Sequence, residues 1–442
     1  MMTKNRLIWL LPIVALVGFG LWPTFFSEAS RTLATDAKAA PSVAGDVAWM
    51  LTATALVLLM TPGLSFFYGG MVQRKNVIST MLQSFIAMGL VSIVWVIVGF
   101  SLSFGDSIGG LIGSPKTFFM FQNVGAATNA ALSPTIPLAL FALFQLKFAI
   151  ITPALITGAF AERVRFSSYL IFIVLFSVFI YSPLAHWTWH PEGFLHKWGV
   201  LDFAGGTVVH MSAGLSALAG AIFLGKRKGY GPSLTHEPAN ITYVLLGTGM
   251  LWFGWFGFNA GSALAANELA VTAFLTTNTA SAAAMMAWMF TDLARGRKPS
   301  ALGAAIGAVV GLVAITPAAG FVTVGSSMVI GAIASMVSNF AVSWRSQKTE
   351  IDDTLDVFPC HGVGGIVGML LTAVFATDGG LITGQPKLFT MHLVALVIVS
   401  AFSFVGGYLM FAVSNWIVPM RVDENEEVQG LDLSQHGETL AS

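Results

Sequence analysis

The sequence predicts an all-α polytopic membrane protein with eleven transmembrane helices, arranged as two inverted five-helix repeats plus a long final helix. Hydrophobic residues make up 55% of the 442-residue chain and charged residues only 10%, and the mean hydropathy is +0.78. Eleven apolar segments are long enough, or nearly long enough, to cross a bilayer. The basic residues between them fall in alternate connections, which is typical of a chain that crosses a membrane repeatedly.

Composition also argues against several other classes of protein. The 21 basic and 21 acidic residues give a formal net charge of zero, so nothing indicates a nucleic-acid partner. Cys360 is the single cysteine, which excludes an intramolecular disulfide. His186 and His190 are close in sequence, but they are only a weak indication of a metal site. We therefore predict neither a metal nor a cofactor.

Residues 1–39 have the outline of a cleaved signal peptide. Lys4 and Arg6 precede the apolar run 7–22, and the small-residue pattern AKA follows at 37–39. The mature chain would then begin near Ala40. The alternative is a retained first helix, because the apolar run is nearly long enough to span the membrane.

The apolar segments after residue 40 define the predicted spans. They cover 46–70, 77–103, 137–160, 166–186, 202–224, 239–261, 268–293, 301–317, 321–344, 357–376 and 390–418. Basic residues cluster in the connections that follow the odd-numbered spans, and the positive-inside rule makes those connections cytoplasmic. The mature N-terminus is therefore expected outside and the C-terminus in the cytoplasm.

An odd number of spans gives two groups of five helices opposite orientations in the membrane. We expect residues 46–225 to form the first five-helix repeat and residues 239–376 the second. Residues 390–418 form the eleventh helix, and 419–442 form a cytoplasmic regulatory tail. Transporters built from inverted repeats hold their sites near the bilayer midplane, where the repeats meet.

One aspartate and histidine pair lies in each half of the chain. Asp202 precedes His210 by eight residues in DFAGGTVVH, and Asp356 precedes His361 by five in DVFPCH. Each aspartate is placed to cap the N-terminus of a helix. Ionisable residues at membrane depth are costly and usually functional. We expect the two histidines to meet at the midplane, although a buried imidazole that is hydrogen-bonded for structure alone is the alternative.

Aromatic residues and one hydroxyl indicate an outer binding site for a small cation. Trp255, Phe258 and Ser262 share one face of the sixth span, while Phe148 lies on the third and Trp189 follows the fourth. Aromatic faces attract cations, and a hydroxyl can accept a hydrogen bond from an ammonium-type donor. The alternatives are interfacial anchoring for tryptophan and ordinary packing for phenylalanine.

Several long motifs resemble those of the ammonium transporter family, Amt/Mep/Rh, on its bacterial Amt side. They are GLSFFYGGMVQRKNVISTM, FQLKFA, AERVRF, DFAGGTVVH, GWFGFNAGSA and DVFPCHGVGG, and they agree in order and spacing from about Gly45 to the C-terminus. The resemblance implies a homotrimer in the plasma (inner) membrane, with one pore through each subunit.

The resemblance also implies roles for individual residues. His210 and His361 are the pore histidines, and Phe148 and Phe258 are the stacked gate above them. The recruitment site is formed by Trp189, Phe148 and Ser262, with Trp255 behind it. Asp202 shapes that site, and we assign Asp356 the matching structural role on the inner side. His190 and the residues after it depart from the expected small residues, which weakens the assignment of Trp189.

The predicted function is electrogenic ammonium uptake, in which ammonium is deprotonated and ammonia passes the histidine pair while its proton crosses separately. Methylammonium would serve as an analogue. The alternative within transport is a neutral ammonia gas channel. An ammonium sensor would need a fused output domain, and a membrane-embedded metalloenzyme would need ligands that complete a metal shell. We therefore do not expect an enzyme.

The tail segment GLDLSQHGE, residues 430–438, resembles the motif through which Amt proteins respond to a PII-type signal protein. We expect the tail to pack near the 345–355 loop, to couple the subunits of the trimer, and to admit a PII partner. Gly430 would be its hinge, because glycine tolerates backbone angles closed to other residues. The alternative is a disordered acidic end.

Overall fold

A computed structural model describes residues 10–26, 40–231 and 237–440. Its helices are α1 Leu10–Phe26, α2 Ala44–Met71, α3 Arg74–Phe104, α4 Leu138–Phe160, α5 166–189, α6 Gly206–Leu224, α7 Ile241–Ala263, α8 Glu268–Ala294, α9 Ala301–Ile315, α10 Val324–Lys348, α11 Phe358–Phe375, α12 Pro386–Ile417, α13 Glu424–Gln429 and α14 Leu431–His436. The helical turn Phe194–Lys197 lies between α5 and α6.

The helical membrane class is confirmed. Within the described residues, 10 helices, α2 to α8 and α10 to α12, are long and apolar enough to cross a membrane. Helix α9 has 15 residues and is shorter than a usual span. It occupies the predicted eighth span, so the total of eleven spans stays a prediction.

The predicted signal peptide lies mostly outside the described residues. Helix α1 corresponds to most of its apolar run, whereas residues 1–9 and the cleavage region at 27–39 are not described. Cleavage near Ala40 therefore stays a prediction.

The connection between α3 and α4 contains the described β-strands. Ser107–Ile108 (β1) pairs antiparallel with Ile112–Gly113 (β2), and Thr128–Asn129 (β3) pairs antiparallel with Ser133–Pro137 (β4). In the first pair Ser107 lies opposite Gly113 and Ile108 opposite Ile112. Strand β4 leads directly into α4, so this connection covers the predicted outer end of that helix.

Glycines bring the helices close together at the centre of the molecule. A Cβ atom built on Gly214 of α6 would lie 2.0 Å from the backbone nitrogen of Gly362 in α11. One built on Gly247 of α7 would lie 2.3 Å from the backbone nitrogen of Phe67 in α2. Small residues at such contacts let membrane helices approach and gain dispersion energy. The contact at Gly214 also brings together the two helices that carry His210 and His361.

Both of these helices begin with a π-helical turn. The turn Gly206–Met211 opens α6 and contains His210, and the turn Phe358–Val363 opens α11 and contains His361. Such turns insert an extra residue into the helical repeat and occur frequently at functional sites. Two further π turns, Trp95–Gly99 and Ser177–Tyr181, lie within α3 and α5.

Candidate functional site

Asp202 caps the start of α6, as its position in the sequence predicts. One carboxylate oxygen accepts hydrogen bonds from the backbone N–H groups of Gly205 and Gly206, at 2.8 and 2.6 Å. The other accepts from the backbone N–H of Thr207 at 2.7 Å and from the Thr207 hydroxyl. The first N–H groups of a helix lack partners within the helix, so Asp202 both satisfies them and fixes the turn that carries His210.

Asp353, and not Asp356, caps α11. Its carboxylate accepts from the backbone N–H groups of Val357 at 3.0 Å and Phe358 at 2.7 Å. Asp356 instead forms an ion pair with Arg345 at 2.8 Å. The predicted cap at Asp356 is therefore wrong, and the matching position five residues before His210 is held by Gly205.

With Asp353 as the cap, the spacing from aspartate to histidine is the same in the two halves. Asp353 precedes His361 by eight residues, the same interval that separates Asp202 from His210. The third residue after each capping aspartate has a positive φ, +118° at Gly205 and +56° at Asp356. Aspartate is one of the few non-glycine residues that adopt this conformation readily, which explains why Asp356 lies at the turn.

The two histidines are in contact and fully enclosed. Their Nδ1 atoms are 3.3 Å apart, and their ring centroids are separated by 5.4 Å with an angle of 25° between the planes. His210 is 1% exposed and His361 is 3% exposed. The Trp255 ring stacks on His210 at 5.4 Å. This contact agrees with the prediction that the two histidine side chains meet.

A narrow apolar cavity runs past the histidine pair. It has a volume of about 10 Å³, roughly the space of one water molecule. Its walls are Met60, Leu64, Phe67, Ile151, Leu155, Val209, Leu251, Trp255, Phe258 and Val309, together with the two histidines. Such a lumen offers few hydrogen-bonding groups apart from the imidazoles, so a hydrated ion would have to shed its water to enter.

Phe148 and Phe258 separate this lumen from a wider cavity. Their rings stack with centroids 4.2 Å apart and planes inclined by 29°. Both side chains are 1% exposed. Phe258 also lies 6.0 Å from the His210 ring. The stacked pair therefore lies between the two cavities, next to His210.

The wider cavity, of about 410 Å³, brings together the predicted recruitment residues. Trp189, Phe148, Ser262 and Asp202 all line it. Trp189 packs edge-on against Phe148 at 5.7 Å and donates from Nε1 to the Asp202 carbonyl at 3.1 Å. The Ser262 hydroxyl donates to the Phe258 carbonyl at 2.8 Å. Its proton is thus engaged, and its lone pairs are available to accept a hydrogen bond from a ligand.

Two other residues of α5 have packing roles. Trp187 donates to the Leu111 carbonyl and lies against Phe402. His186 is hydrogen-bonded through both ring nitrogens, to the Ser107 hydroxyl and the Ser103 carbonyl. Among the residues that the structure describes, no group of three or more potential ligands could hold a metal ion.

A network of buried charges lies next to the tail. Arg227 pairs with Asp352 at 2.8 Å and with Glu162 at 2.7 Å, and all three side chains are buried. Burial alone would raise the pKa of Asp352, but hydrogen bonds from Arg227 bring it below its usual value. Burial raises the pKa of Asp353, although the charge of Arg345 and two backbone N–H groups act in the opposite direction.

The tail packs against the rest of the protein through buried acidic side chains. Asp432 accepts from the backbone N–H groups of Ile78 and Ser79 at 3.1 and 2.8 Å, and Glu427 accepts from the backbone N–H of Lys228 at 2.6 Å. In the described chain, the hydrogen bonds from the tail to the rest of the protein run to residues 75–79, 163–166, 224–228 and 415, and none runs directly to the 345–355 loop. The tail nevertheless lies close to that loop, because Lys228, which binds Glu427, directly follows Arg227, which pairs with Asp352.

Two residues of the site were missed by sequence reasoning. Asp353 could have been found by requiring the same aspartate-to-histidine spacing in both halves. Thr316 follows α9, and its hydroxyl contacts both the Trp255 Nε1 atom and the His210 Nε2 atom, at 2.9 and 3.3 Å. A single threonine at a helix end carries no signal of this role in the sequence.

Comparison with known proteins agrees with this geometry. The model of the Ammonium Transporter Family matches residues 48–441. A putative ammonium transporter of Methanothermobacter thermautotrophicus is 47% identical over 404 residues, which cover 89% of this chain and 98% of the relative. An ammonium transporter of Aquifex aeolicus is 46% identical over 400 residues, covering 89% and 92% of the two chains.

Solved structures of related transporters have the same fold. The crystal structure of Saccharomyces cerevisiae Mep2 matches with a TM-score of 0.81 and 35% identity, covering 87% of this chain and 88% of that one. The structure of a sensor Amt protein matches with a TM-score of 0.82 and 32% identity, covering 89% and 98%. With a family model that spans residues 48–441 and relatives above 40% identity over most of their length, the chain belongs to the ammonium transporter family.

Proposed function

We propose that the protein takes up ammonium across the plasma (inner) membrane by binding it outside, removing a proton, and conducting ammonia past the histidine pair. The observation that carries the proposal is the contact between His210 and His361 in a narrow apolar lumen beneath the stacked Phe148 and Phe258. In this proposal the N-terminus lies outside and the C-terminus in the cytoplasm.

Recruitment takes place in the outer cavity. The faces of Trp189 and Phe148 attract a cation, and the Ser262 hydroxyl, whose proton is already donated to Phe258, accepts a hydrogen bond from it. Trp255 supports this site from behind, where it contacts Phe258 at 5.3 Å. Asp202 holds the helix start with its carboxylate and the Trp189 indole with its backbone carbonyl, so it shapes the site without having to bind the ion.

Selection of ammonium over other cations follows from the apolar lining of the lumen. A charged side chain at the bilayer centre costs about 3 kcal/mol on insertion scales and more than 10 kcal/mol in simulations, so an ion is rejected and a neutral amine is not. Ammonium can become neutral by giving up a proton. Potassium has no proton to give, so the same lumen excludes it.

The histidine pair then has two tasks. Its ring nitrogens offer hydrogen bonds to ammonia where the walls offer none. The hydrogen bond between the two Nδ1 atoms also connects the outer and inner sides of the pair, so a proton can cross separately from ammonia and the transport carries charge. Asp353 holds the inner turn as Asp202 holds the outer one, while Asp356 connects the adjoining loop to Arg345 of α10.

The functional unit in this proposal is a homotrimer surrounded by membrane lipid, with one pore in each subunit. The docked tail supplies a surface for a PII-type signal protein at the inner mouth of the pore. Leu431 and Asp432 of the tail are buried against the start of α3. A partner that displaced the tail would therefore also disturb this part of α3.

Electrical recording tests the proposal. Purified protein in proteoliposomes should give a current on an ammonium or methylammonium pulse and none on a potassium pulse. His210→Ala and His361→Ala should abolish or strongly alter the selective current while leaving assembly intact. His392→Gln is a matched control, because His392 is a buried histidine bonded to Leu201 and Met369 outside the lumen.

The results separate the rival functions. Ammonia flux without current would indicate a neutral gas channel. Unchanged rate and selectivity in both histidine variants would remove the pair from the mechanism. A membrane-embedded metalloenzyme would be indicated only if metal analysis of the purified protein found stoichiometric metal.

A further inference from the structure

We propose that Thr316 is a positioning residue that fixes the protonated nitrogens of the histidine pair, and with them the direction in which the pair can next accept a proton. The proposal rests on the proposed function for its consequence in transport, but the arrangement of protons follows from the hydrogen bonds alone. Thr316 is buried where α9 ends, and its hydroxyl oxygen lies within bonding distance of three different groups.

The three partners of the hydroxyl leave one consistent assignment. The Leu312 carbonyl, at 2.8 Å, can only accept, so it takes the single hydroxyl proton. The Trp255 indole N–H, at 2.9 Å, can only donate. His210 Nε2, at 3.3 Å, faces an oxygen whose proton is already committed. His210 must therefore donate to Thr316, and its Nε2 carries a proton.

The commitment of the hydroxyl to Leu312 has a structural cause. Within a helix the backbone N–H of Thr316 would bond to the Leu312 carbonyl, four residues earlier. Here that N–H bonds to the Val313 carbonyl at 3.2 Å, because the helix is ending. The Thr316 hydroxyl donates to the Leu312 carbonyl in place of the backbone N–H. Turning the hydroxyl proton toward His210 would set two acceptor oxygens 2.8 Å apart.

The assignment extends through the pair. A neutral imidazole has one protonated nitrogen, so protonation of His210 at Nε2 leaves its Nδ1 as an acceptor. That Nδ1 lies 3.3 Å from His361 Nδ1, which must then carry a proton and donate it. His361 Nε2 is consequently the unprotonated nitrogen of the second ring. Thr316 thus determines which of the four ring nitrogens of the pair carry protons.

The same positions of the protons result when a proton is transferred inward through the pair. In such a transfer His210 Nε2 gains a proton, the proton on His210 Nδ1 moves to His361 Nδ1, and the proton on His361 Nε2 departs inward. One proton enters and one leaves, and both rings finish as the other tautomer. Thr316 therefore stabilises the state after transfer, and the pair must break the Thr316 bond before it can accept another proton from outside.

Solid-state NMR of the intact protein with ¹⁵N-labelled histidine tests the assignment. The hydrogen bond between two Nδ1 atoms gives a nitrogen–nitrogen coupling that identifies the pair among the histidines. We expect one protonated and one unprotonated Nδ1, the protonated one belonging to His361. Thr316→Val keeps the shape of the side chain and removes the hydroxyl. In this variant the preference for a proton on His361 Nδ1 over His210 Nδ1 should fall by roughly five- to tenfold, which corresponds to the loss of one hydrogen bond. Thr316→Ser should keep the parental spectrum.

Each outcome decides the proposal. A protonated Nδ1 on His210, an absent coupling in the parent protein, or a Thr316→Val spectrum identical to the parent would overturn it. The parental spectrum is decisive even if the valine variant does not assemble. Loss of the ammonium current in the parent would refute the proposed function instead, and the assignment of the protons would still stand or fall on the spectra.

Discussion

Replacing Asp353 with alanine should weaken the start of α11 and displace His361. The Asp353 side chain is 1% exposed and accepts two backbone N–H groups, at 3.0 and 2.7 Å. Loss of a helix cap costs about 0.5–2 kcal/mol, and each buried donor left without a partner costs about 1–3 kcal/mol. Because the raised pKa of Asp353 shows that burying its charge already costs stability, we expect a net loss of about 2–4 kcal/mol.

The matched control is Asp356→Asn, three residues further along the same loop. Asparagine tolerates the positive φ of +56° at this position, and the two hydrogen bonds made by Asp353 remain. We therefore expect this variant to keep the start of α11 and to lose only the charge of the pair with Arg345. Asp353→Asn, which retains one acceptor oxygen, should lie between the two.

Two measurements distinguish these variants. The apparent unfolding temperature of the purified protein in detergent should fall by several degrees in Asp353→Ala and by much less in Asp356→Asn. Ammonium current in proteoliposomes should fall in the same order, since His361 depends on the turn that Asp353 holds. If Asp356→Asn proved the more damaging of the two in both assays, the assignment of the cap to Asp353 would be refuted.

Three further predictions concern the vestibule, the inner loop and the tail. Ser262→Ala should raise the half-saturating methylammonium concentration several-fold by removing one acceptor, and Phe258→Ala should open the outer gate; uptake curves that overlay the parent would place the site elsewhere. Burial raises the pKa of Asp356 to about 6 against the opposing charge of Arg345. The folded state therefore holds this proton more tightly than the unfolded state, so the contribution of Asp356 to stability should increase as the pH falls from about 7 to about 4, by at most about 3 kcal/mol; a titration of unfolding in Asp356→Asn should lack that gain. Gly430→Ala should detach the tail, because its φ is +100° and a Cβ would lie 2.6 Å from the Lys75 carbonyl oxygen; unchanged protease resistance of residues 419–440 would contradict this.

The sequence predicted the span boundaries and the contact between the histidines because both depend on strong local signals. Long apolar runs specify where a chain can cross a membrane, and the observed helices begin and end within a few residues of the predicted ones. His210 and His361 could be identified because an aspartate precedes each within eight residues, whereas His186 and His392, which also fall in predicted spans, lack one. The cap at Asp353 was missed because DDTLD offers three aspartates within five residues, and only the folded backbone shows which of them reaches the free N–H groups.

The contacts of Thr316 and of the tail could not be predicted from sequence for a different reason. Both act through contacts between residues far apart in the chain. The Thr316 hydroxyl meets His210 across 106 positions, and Asp432 meets Ser79 across 353. The acidic composition of the tail favoured a disordered end, yet Asp432 is 2% exposed and its carboxylate serves as a cap for the first turn of α3.

The two halves of the site agree in geometry more closely than in sequence. In each, an aspartate caps a helix, the third residue after it has a positive φ, and a histidine follows at the eighth position within a π turn. The carbonyl of that third residue accepts a helical bond in both copies, from Val209 N–H at 3.0 Å and from Cys360 N–H at 3.0 Å. Glycine satisfies the positive φ in one copy and Asp356 in the other, so a comparison of residue letters conceals the repeat. Because a π turn adds one residue to the helical repeat, it rotates the side chains that follow, and the shared offset of eight brings both imidazoles to the same lumen. The repeated unit is thus this cap, turn and histidine arrangement, and the residues within it differ between the two copies.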